Sequence, residues 1–497
     1  MNIEQNNQDP KNHTPSIYTV DPGPAKFRFL FLEPTLLSRI FHLGWPVIVG
    51  MLTQSAINTI DLLMVGRLDD KIAVPGTAAI MSSVVLLWAY GGFLSSISVG
   101  TQALSARRFS EGNPKKAGQV LCNSLFVSII ASAIITAIAI SLIDQTMPLL
   151  STSPEVRQIG GDYSRIRLLG LPSMALMASF KSFYDGLGRV RIHMSVAIIM
   201  NLLNIFINFF MIYGFSLGPI NIPSYGVYGA AWGSVISSYI GLLIMYFWSL
   251  RPKDRARFSV FKWENLSRQV SFSIARLSIW SGLATVVLMV GVGLFNYIVS
   301  IIDQNENGGF TNASAASIII HIMMLVFMTS LAFGTSTATL VSQSIGAKNT
   351  KLAERYAWQS VLLAVYAMSA FGIFTFLFPE PILTVFLPPD LESNHLKEMV
   401  INTAIPSIKL SALLLSPTAA AGLVLVQALY GAGETRYVMI VEFFLHFFCL
   451  APLAWFLAIY LEMGIIGCWI AAITYATALM LAAAIRFLQG KWKNLSI

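Results

Sequence analysis

The sequence predicts an all-α polytopic membrane protein with twelve transmembrane helices in two pseudo-symmetric six-helix bundles. Three observations carry that reading: composition, a regular alternation of apolar runs with charged breaks, and an internal repeat. Charged residues make up 11% of the 497 and the AVILMFWYC set 55%, whereas an average soluble chain is about 25% charged. The mean hydropathy of +0.68 agrees. A spanning helix takes about 20 apolar residues, so the length leaves room for roughly ten to fourteen crossings. A β-barrel would alternate polar with apolar residues, and the apolar runs here are unbroken.

Taken in order, the runs predict spans near 37–64, 76–105, 117–142, 163–185, 193–215 and 227–249. A hydrophilic stretch, RPKDRARFSVFKWENLSRQ (251–269), follows. Six more spans lie near 272–301, 313–344, 357–385, 401–428, 437–460 and 465–487. The expected organisation is a tail over 1–35, a first lobe over 36–250, a linker over 251–269, a second lobe over 270–488 and a tail over 489–497. Residues 1 to about 30 are polar, mix both signs of charge and lack the pattern of a cleaved signal sequence. They read as a disordered cytoplasmic tail.

Short cytoplasmic segments are enriched in Lys and Arg. The tails and the loops that would share their side carry 23 of the 32 basic residues, among them Arg107, Arg108, Lys115, Lys116, Arg189, Arg191, Arg251, Lys253, Arg255 and Arg257. The opposite loops carry four: Arg67, Lys71, Arg157 and Lys397. Both termini are therefore expected in the cytoplasm. The net charge of +8 is spread at intervals and forms no basic face, which argues against nucleic acid. Cys122, Cys449 and Cys468 lie in or beside apolar runs and read as small hydrophobes, with neither disulfide nor metal spacing.

The halves repeat each other. Pro172, Gly186, Gly188 and Arg191 correspond to Pro417, Gly431, Gly433 and Arg436 at one offset. GVYGAAW (Gly226 to Trp232) resembles GIIGCW (Gly464 to Trp469), and Gly100, Thr101 and Gly112 match Gly334, Thr335 and Gly346. Because six spans separate the copies, both have the same topology. Parallel repeats imply two bundles about an axis along the membrane normal, a shape suited to alternating access.

Several of these segments resemble the multidrug and toxic compound extrusion (MATE) family. GWPVIVGMLTQSAINTIDLLMVGRL (Gly44 to Leu68) is similar to its first helix, with Pro46, Leu52, Asp61, Val65 and Gly66 in the family's positions. SVGTQALSARRFSEGNPKKA resembles its second-to-third-helix loop, NLLNIFINFFMIYG (Asn201 to Gly214) its fifth helix and LYGAGETR its tenth-to-eleventh-helix turn. The resemblance covers about residues 35–488 and in the first lobe is nearest the NorM-like branch. It implies a V-shaped central cleft and export of organic, often cationic, compounds in exchange for Na⁺ or H⁺.

An ionisable group inside a span costs at least about 2.5–3.5 kcal/mol on insertion scales and needs a reason. Asp61, with INTI before it and LLMV after, is the first candidate: a carboxylate that can hold a proton or Na⁺. The competing reading places it at the helix end, paired with Arg67. Asn204 and Asn208, spaced i, i+4, share one helix face, and amide oxygens suit a protonated carboxyl or a hard cation. Holding the lobe together is their alternative role. Gln54, two turns before Asp61, is expected to line the same pocket.

The resemblance also implies a second-lobe site with a Glu in the seventh helix and an Asp in the tenth. The corresponding stretches, SIWSGLATVVLMVG and LLSPTAAAGLVLVQ, contain no acid. Glu442 and His446, spaced i, i+4, form a candidate proton relay with Lys409 nearby in the sequence pattern. The simpler reading pairs Glu442 with Lys409 or sets it beside Arg436. Trp88, Tyr90, Tyr184, Met323, Met324 and Met328 are candidate cleft residues, each also explicable as ordinary packing.

The expected function is secondary antiport of an organic, cationic, drug-like or metabolite substrate. Asp61, Asn204, Asn208 and Gln54 are expected to couple it to H⁺, with Na⁺ open. No cofactor, metal or nucleic acid is expected. The chain has no G-x-x-x-x-G-K-S/T for ATP, and no H-E-x-x-H or G-x-S-x-G for an enzyme. The expected setting is a monomer in a bacterial inner membrane. A lipid-linked glycan flippase is the alternative, although few Arg or Lys lie within the spans to hold a pyrophosphate. A receptor or scaffold without flux is another.

Overall fold

The structure, a computed structural model, describes residues 19, 31–151, 153–217, 220–305, 311–387 and 394–495. Most of the expected N-terminal tail lies outside the described residues. In the first half, α1 (Pro34–Val65) is followed by α2 (Asp70–Ser95) and α3 (Ile97–Ser110), which together make one crossing. Next come α4 (Pro114–Ser141), the short α5 (Ile143–Leu150), α6 (Pro154–Leu168), α7 (Leu171–Gly186) and α8 (Arg191–Tyr213). A small antiparallel hairpin, β1 (Phe215–Leu217) and β2 (Ile220–Ile222), pairs Phe215 with Ile222 ahead of α9 (Val227–Ser249). The connection to the second half contains α10 (Pro252–Phe258) and a 3₁₀ turn at Trp263–Asn265.

The second half runs through α11 (Arg268–Asn305), α12 (Thr311–Gly346), α13 (Thr350–Leu377), α14 (Pro379–Phe386) and α15 (Asn394–Leu410). A π-helical turn at Ser411–Leu415 joins α15 to α16 (Ser416–Ala432), so that the two form one crossing. The next crossing is α17 (Thr435–Leu445), a π turn at His446–Leu450, α18 (Ala451–Trp455) and another π turn at Phe456–Tyr460. α19 (Gly464–Leu488) closes the array.

Among the described residues, eleven spans are long and apolar enough to cross a bilayer. The expected fourth crossing, 163–185, is split: α6 ends at Leu168 and α7 starts at Leu171 with Pro172 in its first turn. Proline has no N–H to continue the ladder, and its ring crowds the carbonyl four residues back. The run expected over 357–385 also breaks, because Phe378 leaves helical geometry and α14 begins at Pro379.

The repeat is visible as geometry. Gly188 and Gly433 both have left-handed φ, 76° and 93°, and Gly226 and Gly464 are paired likewise at 53° and 57°. Asn113 and Asn349, ahead of α4 and α13, share the same backbone conformation. Gly186 sits against the backbone of α3 at Gln102, and Gly431 against the backbone of α12 at Ala338. A side chain at either position would push the helices apart. In a bilayer, lipid is as apolar as the helix surface, so such close packing and interhelical hydrogen bonds supply the association. One such chain links Thr101, Ser124, Ser179 and Ser128 across α3, α4 and α7 at 2.6–2.7 Å per step.

The halves are not sealed from one another. Leu36, Ile40 and Leu43 at the start of α1 pack with Phe333, Leu340, Tyr356 and Val424 of the second half. The hydrophilic connection is anchored to the first half: Phe258 is buried against Phe183, and Asp254 accepts a 2.6 Å bond from Arg189.

Candidate functional site

Asp61 lies one turn from the end of α1 and is only 5% exposed. Asn208 Nδ2 donates to its Oδ1 at 2.6 Å and Ser234 Oγ to its Oδ2 at 3.1 Å. Asn204 Nδ2 in turn donates to Ser234 Oγ and Ser237 Oγ at 3.2 and 3.3 Å, and its Oδ1 lies 3.4 Å from Asn208 Nδ2. The i, i+4 asparagines thus face the acid together. The cluster ties α1 to α8 and α9. Arg67 is exposed and is not Asp61's partner.

Ser234, Ser237 and Gly233 of α9 were not singled out in the sequence. A Cβ at Gly233 would overlap the Asn208 amide, so glycine there is what brings α9 against α8. The run GSVISS, with small residues at helical spacing, was the available signal. Arg167 of α6 lies within electrostatic range of Asp61, as does Tyr163 of the same helix. Asn201, one helical turn before Asn204, is buried with neither amide atom hydrogen-bonded among the described residues. Gln54 is exposed and stands outside the cluster.

In the second half, the Glu442–His446 contact is a bond of His446 Nδ1 to the Glu442 backbone carbonyl at 2.8 Å; the carboxylate takes no part. Lys409 does not reach Glu442: its ammonium lies over the Phe376 ring at 5.7 Å. Arg436 is directed to the Trp280 ring. Among the cleft candidates, Trp88 and Met324 are each 42% exposed and Met328 is half-buried. Tyr90 and Met323 pack against core clusters. Tyr184 is buried beside Phe183 and lines no open space.

Hydrogen bonds between the halves concentrate toward the end of the bundle that carries the basic loops. Gln102 Nε2 donates to Thr335 O and Thr339 Oγ1 at 2.9 and 2.7 Å, and Gln343 Nε2 to Gly186 O at 2.7 Å. Buried Arg107 donates to Ala432 O at 2.7 Å and to Leu495 O at 2.9 Å. This seam closes that end.

A profile of the MatE family matches residues 46–210 and again 306–456, one copy in each half. The chain belongs to the MatE family. This MatE chain is therefore a membrane transporter of the multidrug-efflux family. It is 25% identical over 470 residues to "Probable multidrug resistance protein NorM" of Thermotoga maritima, covering 93% of this chain and 95% of that one. It is 22% identical over 481 residues to "Probable multidrug resistance protein YoeA" of Bacillus subtilis, covering 96% of each. A solved MOP superfamily transporter from Pyrococcus furiosus superposes with a TM-score of 0.80 at 21% identity, over 93% of this chain and 96% of that one. A second solved structure, an outward-facing multidrug resistance MATE family transporter, matches with a TM-score of 0.80 at 21% identity over 92% and 95%. Both share the MatE fold.

Proposed function

We propose that this MatE transporter is a secondary antiporter that exports organic, drug-like compounds in exchange for H⁺ taken up at Asp61. The observation that carries the proposal is a buried acid whose two oxygens accept from donors on two other helices. An ionised carboxylate only accepts; once protonated it also donates. Proton uptake therefore adds a donor that needs an acceptor, and so changes the hydrogen bonding that ties α1 to α8 and α9. The donors aimed at Asp61 suit this exchange better than a Na⁺ cage, which needs oxygen atoms directed inward. Asn204 and Ser237 position the first pair.

The same reading places the protein in the inner membrane of a bacterium as a monomer, with the basic end and both termini in the cytoplasm. The polar seam of Gln102, Arg107, Thr339 and Gln343 would then be the closed inner gate. Efflux from reconstituted vesicles under a pH gradient alone tests the proposal. Wild type is expected to transport, and Asp61→Asn to lose gradient-driven transport. Equal rates in both would overturn it.

A further inference from the structure

A second ionisable group lies within the membrane helices, and the mechanism above leaves it unused. Glu442 sits about two turns into α17. The outward face of that segment carries Ile440, Phe443, Phe444 and Phe448, all exposed toward lipid. The opposite face carries Thr435, Val438 and His446, all buried. Glu442 falls at the middle of this inward face, yet it is only half-buried. A residue that points into the bundle and keeps accessible surface looks onto interior space.

No cation of the protein neutralises this carboxylate: Lys409 and Arg436 are committed to aromatic rings, and no ion pair or hydrogen bond to the Glu442 side chain occurs among the described residues. Its surroundings are aromatic. Tyr430 of α16 and Tyr475 of α19 lie within electrostatic range of it, and neither phenol hydroxyl is hydrogen-bonded among the described residues. The His446 ring lies 4.5 Å from that of Tyr475, tilted at 56°, braced where Gly291 of α11 lets it approach. Its Nε2 is buried and makes no hydrogen bond among the described residues. Tyr430 also lines a small cavity with Val99, Gln102 and Ala103 of the first half, at the junction of the halves. The π-helical turn beginning at His446 locally displaces the backbone beside this group, a feature frequent at functional sites.

We infer that Glu442, with Tyr430, Tyr475 and His446, forms a binding site for the cationic group of an organic substrate in the second half of the transporter. An uncompensated carboxylate in a low-dielectric interior is costly unless it is neutralised or paired. The faces of the two tyrosines add attraction for a diffuse organic cation over a compact, strongly hydrated ion. His446 positions the ring of Tyr475. The inference rests on the transport reading for its biological purpose, but not for its test. The site stands apart from Asp61, which lies near the far end of α1, so substrate and coupling ion occupy different halves.

The test is equilibrium binding of tetraphenylphosphonium to the purified full-length protein in nanodiscs. Wild type is expected to bind and Glu442→Gln to bind about tenfold more weakly or worse, the loss of one charge-assisted contact. Lys493→Ala, at a partly exposed pair outside both sites, is expected to bind as wild type does. Because Glu442→Gln could perturb packing, wild type is also treated with a hydrophobic carbodiimide, and labelling of Glu442 is read by peptide mass spectrometry. Tetraphenylphosphonium is expected to protect Glu442. Unchanged affinity in Glu442→Gln, absence of protection, or no binding by wild type would each overturn the inference. None of these results bears on the proton reading, which fails if wild type and Asp61→Asn transport at equal rates under the pH gradient.

Discussion

In the first half, Asp61 is held by Asn208 and Ser234, and those by Asn204, in a cluster spanning three helices. In the second half, Glu442 has no hydrogen-bonding or charged partner among the described residues and lies beside two tyrosines and a histidine. The scaffold around them is shared, down to the left-handed glycines at 188 and 433. The helices differ, however. α8 is regular from Arg191 to Tyr213, while its counterpart is interrupted by π turns at His446–Leu450 and Phe456–Tyr460. Duplication thus preserved the contacts that hold helices together and released the polar positions to diverge. On the readings proposed above, the satisfied acid exchanges a proton and the unsatisfied one takes a ligand.

The sharpest way to break this comparison is at the two glycines that admit each group. Gly233→Val would drive a side chain into the Asn208 amide and dismantle the Asp61 cluster. We expect loss of gradient-driven efflux and a cost of about 1–3 kcal/mol, read as a lowered melting temperature of the solubilised protein. Gly291→Ala would displace the His446 ring instead. It should weaken organic-cation binding while Asp61-dependent proton uptake persists, and equal damage to both would erase the distinction between the halves.

Asn208→Ala comes next, because it removes one of the two donors to Asp61. A lost hydrogen bond to a buried charged group costs about 1.5–3 kcal/mol, and efflux in vesicles should fall by about tenfold or more. A mutant that transports normally would mean that Asn208 only packs. Gln102→Ala cuts two bonds across the seam between halves; at an average of about 0.6 kcal/mol for each interhelical bond, the effect is modest. It should appear as increased labelling of a cysteine introduced at Thr339, with little change in thermal stability. The smallest effect is expected at Lys493→Ala. Its partially exposed pair with Glu354 contributes under about 1 kcal/mol, and transport should be unaltered.

The sequence by itself determined the class of molecule, most of the crossings and the repeat. Hydropathy and charge asymmetry are properties of segments, and each segment meets the bilayer as a unit. Asp61, Asn204 and Asn208 were legible too, because an acid in an apolar run is costly and helical spacing aligns the two amides. Only the tertiary structure decided the rest. Ser234 joins Asp61 from 173 positions away, and no local pattern encodes which face of α9 meets α1. The Glu442–His446 spacing suggested a side-chain pair, but the bond goes to the backbone carbonyl, and Tyr430 and Tyr475 on other helices stand within electrostatic range of the carboxylate. Lys409, an apparent partner in the one-dimensional pattern, goes to Phe376. Spacing along a helix fixes a direction; what stands in that direction depends on how the helices pack.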